Sequence, residues 1–432
     1  MSNYTIANRY GGWLPQSHTV YQSFINEHLT GAALKQEAAE EHVPAVAAFE
    51  KAIRSNSVML ALFNTIFLQD SETSTIPDFD TLLFIMDDIV VKAPGFHIPP
   101  AGEKPEPLST PLYIVLDLLS NTGAAYDLFR MREFNIAMKA LLDSWGAFLK
   151  TNASNNTLTA ADDGWFGKFG IVTLEADGRG KFNNTYITPD PEAVNRGYKS
   201  WDEFFTRQVQ KAARPILKPE DQSLIHNACE SRVYRIAHKV KEHDQFWLKA
   251  QSYSLYDMLN IGAERDAYVK KFIGGTVYQA YLNPQDYHRW HCPIDGTIEF
   301  ATVVDGTYYA VLPDAGAEAG DPDFVKGDPR GAIIRSQAWL TMNATRAIIF
   351  IRATNDKIGL MCFIGVGMVE VSTCEVTVKR GQEVKKGDQL GMFHFGGSSH
   401  SLIFGPHVNI TFAAEIVKDK HVQVNSIIAQ VS

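Results

Sequence analysis

The 432-residue chain is predicted to be an α+β protein in which a helical N-terminal domain precedes a β-rich domain. Three observations carry that prediction. Apolar residues recur at helical spacing from about Pro44 to Phe148, a small polar stretch follows at Thr151 to Asp163, and beyond about Ile225 the chain breaks into short apolar runs bounded by Gly, Pro, Asn or Asp. The length exceeds what one ordinary core organises, so two domains are expected. Apolar residues at 45% and charged ones at 21% belong to an ordinary globular protein rather than a disordered or fibrous one.

Within residues 1–150, Val46, Phe49 and Ile53, then Met59, Leu62, Phe63 and Ile66, then Leu82, Leu83, Met86 and Ile89 lie one helical turn apart and predict four to six helices. Pro94, the stretch Pro99 to Pro107 and Gly123 break them, and Leu141 to Leu149 closes the domain as an amphipathic segment. Residues 151–224 are expected to form a linker and helical connection. They hold Gly197-Tyr198-x-Ser200-Trp201-Asp202-Glu203-Phe204-Phe205-Thr206-Arg207, a helix capped at Ser200 with an aromatic face, followed by Ala213-Arg214-Pro215-Ile216. Residues 225–432 form the β-rich domain, with strands expected at Val233 to Ile236, Gly275 to Tyr281, Thr297 to Val304, Ala347 to Ile351, Gly359 to Val366 and Cys374 to Val378. Between Val376 and Gly391 the spacing of Val378, Gly381, Val384, Gly387 and Leu390 resembles the glycine turn of biotinyl and lipoyl domains. Lys379, Lys385 and Lys386 are not presented singly at a hairpin tip, so the segment is expected to be structural rather than lipoylated.

A net charge of −9 offers no general attraction to nucleic acid or anionic lipid. The start of the chain lacks a basic region followed by an apolar one, and the best apolar run, Pro111 to Leu119, is short and broken by Asp117; a cytoplasmic protein with no stable membrane insertion is expected. Cys229, Cys292, Cys362 and Cys374 are widely spaced and read as free buried thiols.

Three patterns in the second half carry candidate chemistry. Phe395-Gly396-Gly397-Ser398-Ser399 puts glycine ahead of serine. Without a Cβ the backbone can take strained φ/ψ values and open the Gly397 carbonyl to a nucleophile, as an N-to-O acyl shift needs; read alone, the run is a loop. Asp286-Tyr287-His288-Arg289-Trp290-His291 sets two histidines three apart, which suits metal ligation, acid–base work or plain structure. Cys292 and Asp286 complete no recognisable zinc spacing, so catalysis ranks above metal and no metal is expected. Asn227-Ala228-Cys229-Glu230-Ser231 places one carboxylate in a short turn, where Glu230 is either a solvated surface residue or the group that orients a general-base imidazole.

Taken in order, Glu-Phe-Phe-Thr-Arg, Arg-Pro-Ile, Asp-Tyr-His-Arg-x-His-x-Pro-x-Asp-Gly and the late Gly-Ser-Ser resemble the phosphatidylserine decarboxylase family across about Gly197 to Val431. Within it, the resemblance leans to fungal decarboxylases of free tryptophan. The family usually has Leu-Gly-Ser-Thr where this chain has Gly396-Gly397-Ser398-Ser399, and Ala-Asp-Gly where it has Cys229-Glu230-Ser231.

The resemblance implies a proenzyme that cuts itself between Gly397 and Ser398, leaving a small chain of residues 398–432 headed by a pyruvoyl group and a large chain that stays associated with it. No pyridoxal phosphate is then needed. His291, oriented by Glu230, would take the Ser398 proton for the cut, and His288 would return a proton to the substrate's Cα. Tyr287 and Trp290 would line an aromatic pocket, although a packed core tryptophan is the plainer reading. The implied substrate is a free aromatic L-amino acid, L-tryptophan first. A phosphatidylserine decarboxylase and a catalytically inert family member acting as a binding protein are the competing readings, and a homodimer is compatible with all three.

Overall fold

The computed structural model describes residues 12–70, 74–98, 104, 106–243, 253–318, 325–370 and 373–432. The chain start and most of the Pro99 to Pro107 break lie outside them. The chain forms two compact units, one of residues 1–176, 188–204 and 307–335, the other of residues 177–187, 205–306 and 336–432.

The first unit is built on α1 (His18–Glu37), α2 (Pro44–Arg54), α3 (Ser57–Gln69), α4 (Phe79–Ile89), α5 (Pro111–Ser120), α6 (Gly123–Leu128) and α7 (Arg132–Leu149), with a short antiparallel pair, β1 (Phe96–His97) and β2 (Glu106–Pro107). Among the described residues, the segment read as helical from about Pro44 to Phe148 holds six helices, α2 to α7. Their starts follow local chemistry. Ser17, Asn56, Asp78 and Thr122 cap α1, α3, α4 and α6 through side-chain oxygens, whereas α2 and α5 open with proline in the first turn. Phe49, Phe63, Phe79, Phe129 and Phe134 pack ring against ring at the centre. The polar stretch after Thr151 folds as a 3₁₀ turn, Asn152–Thr157, whose buried Ser154 accepts a hydrogen bond from the Trp201 amide. Ser200 caps the helix Trp201–Phe205, as its sequence predicts, by accepting from the Glu203 amide. Asp117 lies deep inside this unit, where it accepts from Tyr113 Oη and the Gly331 amide, and burial pushes its pKa up to about 7.

Among the described residues the second unit carries fourteen strands: β3 (Leu224–His226), β4 (Ser231–His238), β5 (Thr276–Leu282), β6 (Arg289–His291), β7 (Gly296–Val304), β8 (Arg346–Ala353), β9 (Leu360–Met368), β10 (Thr373–Val376), β11 (Glu383–Val384), β12 (Gln389–His394), β13 (Gly397–Phe404), β14 (Ile410–Phe412), β15 (His421–Val422) and β16 (Ile427–Val431). An eight-stranded antiparallel sheet runs β11-β7-β8-β9-β13-β5-β4-β15, and two three-stranded sheets run β10-β12-β6 and β14-β16-β3. The architecture is therefore α+β. Strand β13 pairs with β9 on one side and β5 on the other along its length, so a segment rich in serine sits mid-sheet. The sheet packs on a core that includes Tyr278, Leu282, Trp290, Phe363, Phe393 and Leu402.

Two glycines allow the smaller sheet to meet this core. A Cβ on Gly391 would stand 2.6 Å from the Trp290 ring, and one on Gly365 would stand 3.1 Å from it. All four cysteines are free and buried.

Candidate active site

Ser398 lies near the start of β13, fully buried, with Gly367 of β9 and Leu282 of β5 as its register partners. The chain reaches it through two residues of positive φ, Phe395 at 53° and Gly396 at 114°. The conformational freedom expected of the glycine directly before the serine is therefore used one and two residues earlier. Gly397 itself is already in the strand, and Phe395, a bulky residue in the left-handed region, is held there at a cost of the order of 1 kcal/mol. The Gly-Gly-Ser-Ser run, a loop when read alone, is the head of a central strand.

His288 faces Ser398, with Ser398 Oγ 3.4 Å from His288 Nδ1. Its Nε2 lies 3.3 Å from the Pro284 carbonyl, which can only accept, so Nε2 carries the hydrogen and Nδ1 offers its lone pair to the serine hydroxyl. The ring stacks on Phe205 with centroids 4.0 Å apart. Burial pushes its pKa down to about 3, so the imidazole is neutral across the physiological range.

The expected relay from Glu230 through His291 to Ser398 is not what the structure brings together. His291 Nδ1 is 2.6 Å from the Gly387 carbonyl, and its Nε2 accepts from Tyr287 Oη at 2.8 Å. Glu230 is fully buried rather than solvated. It forms a two-pronged pair with Arg214, at 2.5 and 2.9 Å, and accepts from the Val424 amide at 3.0 Å. Among the described residues no hydrogen bond joins Glu230 to His291 or His291 to Ser398. The physical reason is competition: a guanidinium matches both carboxylate oxygens, and a backbone carbonyl and a phenol already satisfy both imidazole nitrogens. Tyr287 is buried, and Trp290 is a core residue packed on Phe393 and Phe363.

Sequence reasoning did not assign a role to Asp286. This buried carboxylate pairs with Arg179 at 2.7 Å and His421 at 3.0 Å, and accepts from the Asn283 amide at 2.8 Å. Burial works to raise its pKa, but Arg179 and then His421 hold the carboxyl well below the usual range. Arg207 donates to the carbonyls of Gln285 and Asp286. Together these bonds fix the turn that offers the Pro284 carbonyl to His288. Asp286 itself was visible in the histidine motif; Arg179 and His421 lie 107 and 135 residues away, and nothing local marks them. Among the described residues no group of three or more His, Cys, Asp or Glu is placed to hold a metal ion.

The α+β fold thus sets a buried serine at the head of a central strand, facing a neutral imidazole. A phosphatidylserine decarboxylase family model matches residues 201–430, just over half of the chain, and a second phosphatidylserine decarboxylase model matches residues 43–174. The chain belongs to the phosphatidylserine decarboxylase family, and it is a decarboxylase, a carboxy-lyase.

It is 55% identical to decarboxylase iboD of Amanita muscaria over 80% of this chain and 99% of that relative. It is 35% identical to the L-tryptophan decarboxylase of Psilocybe cubensis over 90% of this chain and 87% of that one. Phosphatidylserine decarboxylase proenzyme 3 of Schizosaccharomyces pombe is 27% identical over 54% of this chain and 21% of its own length. Among the described residues no helix is long and apolar enough to cross a membrane.

Proposed function

We propose that this chain is a self-processing decarboxylase of a free aromatic L-amino acid, L-tryptophan to tryptamine first, which cuts itself between Gly397 and Ser398 and carries a pyruvoyl group at residue 398. The observation that carries the reading is the Ser398 hydroxyl, buried and 3.4 Å from the lone-pair nitrogen of His288, at the end of a turn that needs positive φ at Phe395 and Gly396. The near full-length similarity to an L-tryptophan decarboxylase supports the substrate class.

In the cut, His288 Nδ1 accepts the Ser398 proton and Oγ attacks the Gly397 carbonyl, exchanging the peptide bond for an ester. Loss of the Ser398 α-proton then breaks the Cβ–O bond and frees the Gly397 carboxylate. Water replaces nitrogen at the new chain end, and ammonia leaves. The resulting small chain has 35 residues, 398–432.

A pyruvoyl ketone at residue 398 would supply a carbonyl for the substrate amine and a sink for the electron pair released with CO2. The surrounding residues fit such a group. Pairing of β13 with β9 and β5 immobilises its carbonyl carbons, Phe205 and Phe395 wall the site against water, and His288 is placed to return a proton at the carbon that loses CO2. His291, Tyr287, Glu230 and Arg214 fasten the surrounding turns. The segment resembling a biotinyl or lipoyl glycine turn acts as a buttress: Gly381 and Gly387 take positive φ, and the Gly387 carbonyl anchors His291. In the same reading residues 225–432 are the catalytic domain, joined through 151–224 to an accessory helical domain of residues 1–150, and the protein works in the cytoplasm.

Intact-mass measurement of freshly purified protein, together with amine detection after incubation with L-tryptophan, tests the proposal. Two chains and tryptamine are expected. One unbroken polypeptide of 48.1 kDa with an unmodified serine, or activity only on dispersed phosphatidylserine, overturns it.

A further inference from the structure

On the face of β13 that carries Ser398, the next side chain is His400, two residues along the strand. It is fully buried, and neither ring nitrogen has a hydrogen-bond partner. Its cross-strand neighbours are small: Gly365 of β9 and Ala280 of β5 stand opposite it, and Gly367 stands opposite Ser398. Aromatic rings take up the room this leaves. Trp290, Phe363 and Phe393 converge on Gly365, each 3.1–3.3 Å from where a Cβ would be. Phe363 lies nearly parallel to the imidazole at 6.1 Å, and Trp290 Nε1 is likewise buried without an acceptor.

A neutral imidazole offers one donor and one acceptor, and burying both unmet costs stability. Packing alone gives no reason for it, because phenylalanine would fill the same space without that penalty. An orphaned polar group in a core calls for an explanation, such as a catalytic role or a bound water, ion or ligand. Two residues along a strand span roughly 7 Å, about the reach of a free amino acid from its amine to the far edge of an aromatic side chain.

We infer that His400 reads the polar edge of the substrate's aromatic ring, so that the enzyme takes aromatic L-amino acids whose ring carries an N–H or O–H and discriminates against the plain phenyl side chain. The inference rests on the pyruvoyl reading of residue 398. A substrate held there lays its ring along β13 by displacing the rings of Trp290, Phe363 and Phe393 that now pack beside Gly365. Its N–H or O–H donates to the free imidazole nitrogen, while His400 and Trp290 offer N–H groups to any acceptor on the ring. Burial lowers the His400 pKa to about 3, so the ring works by hydrogen bonding and not by charge.

The test compares the mature protein with His400→Phe and His400→Gln, each normalised to the fraction of subunits labelled by a ketone reagent. Calorimetry measures the Kd of tryptamine, tyramine and phenethylamine, and kcat/KM is measured for the matching amino acids. The expected wild-type preference for at least one polar-edged compound over the phenyl one is ~100-fold or more, because a site built to bond N–H or O–H rejects the analogue lacking it. His400→Phe should bring the ratio to within about threefold, and His400→Gln, which keeps a donor and an acceptor, should restore most of it.

A preference unchanged in His400→Phe while the protein still cuts and makes amine overturns the inference and leaves the imidazole bonded to a buried water alone. Wild-type protein that never cuts, or makes no amine from any amino acid, overturns the reading of residue 398 and this inference with it.

Discussion

At 3.4 Å the contact between Ser398 Oγ and His288 Nδ1 is long for a hydroxyl hydrogen bond, and in the proposed cut it would have to tighten as the oxygen becomes a nucleophile. If His288 is the base, His288→Ala slows the cut by about 10²-fold or more, as loss of general-base help does, and the cut fraction forms little amine. His291→Ala, which removes a bond to Gly387 and one to Tyr287, should slow the cut less. A time course on a denaturing gel decides it: His291→Ala uncut beside a promptly cut His288→Ala returns the step to the Glu230–His291 pair. Glu230 gives a second test at this scale. Breaking a buried, bidentate pair by removing one partner's charge costs about 3 kcal/mol, so Glu230→Gln is expected to lower the unfolding free energy read from urea titration by that order, whereas a group needed only for the cut would leave it in place. The histidine motif and Ser398 were legible from the sequence, but their partners were not. A lone carboxylate in a short turn reads as the orienter of a general-base imidazole until Arg214, 16 residues upstream, takes both its oxygens.

Elements were legible in proportion to how clearly they are punctuated. Strands β5, β7, β8 and β9 fall within a residue or two of their expected bounds, because glycine or asparagine brackets dense runs of β-branched and aromatic side chains. Helix α1 lies ahead of the segment whose periodicity was used, although Val20, Tyr21, Phe24 and Ile25 form its buried stripe. Strand β13 was hidden for another reason. Ser398, Ser399 and Ser401 have little preference for strand, and only β9 and β5, from elsewhere in the chain, make them one. The seat of Trp290 is also set by a distant glycine. A Cβ at Gly391 would meet the Glu375 carbonyl at 2.2 Å and the Trp290 ring at 2.6 Å, so Gly391→Ala is expected to destabilise the protein by about 2 kcal/mol, read as the urea midpoint, where an ordinary exposed strand glycine would show little change.

For the whole molecule, acid should act largely through buried histidines. His288 and His400 have pKa values near 3 in the folded chain against 6.5 when exposed, so between those limits the unfolded chain takes up protons that the native one refuses. Each contribution to stability is fully present above about pH 6.5 and falls by about 1.4 kcal/mol per pH unit below it. Asp117, raised to about 7, works in the opposite sense between about pH 4 and 7 and offsets one of the two. The net slope therefore favours neutral pH, and His400→Phe should flatten it; urea titrations at pH 4.5 and 7 that give equal midpoints for the wild type would contradict this account.

The place of β13 has an outcome for the life of the molecule. Its strand partners clasp residues 398–404 on both edges, so the proposed cut at its head would leave the new terminus where the precursor put it. With the proposed cut, such a protein is assembled once. After complete denaturation a 35-residue piece has to find the slot between two preformed edges with no tether to guide it, and a matured sample should regain far less of its activity on refolding than an uncut precursor regains of its capacity to mature.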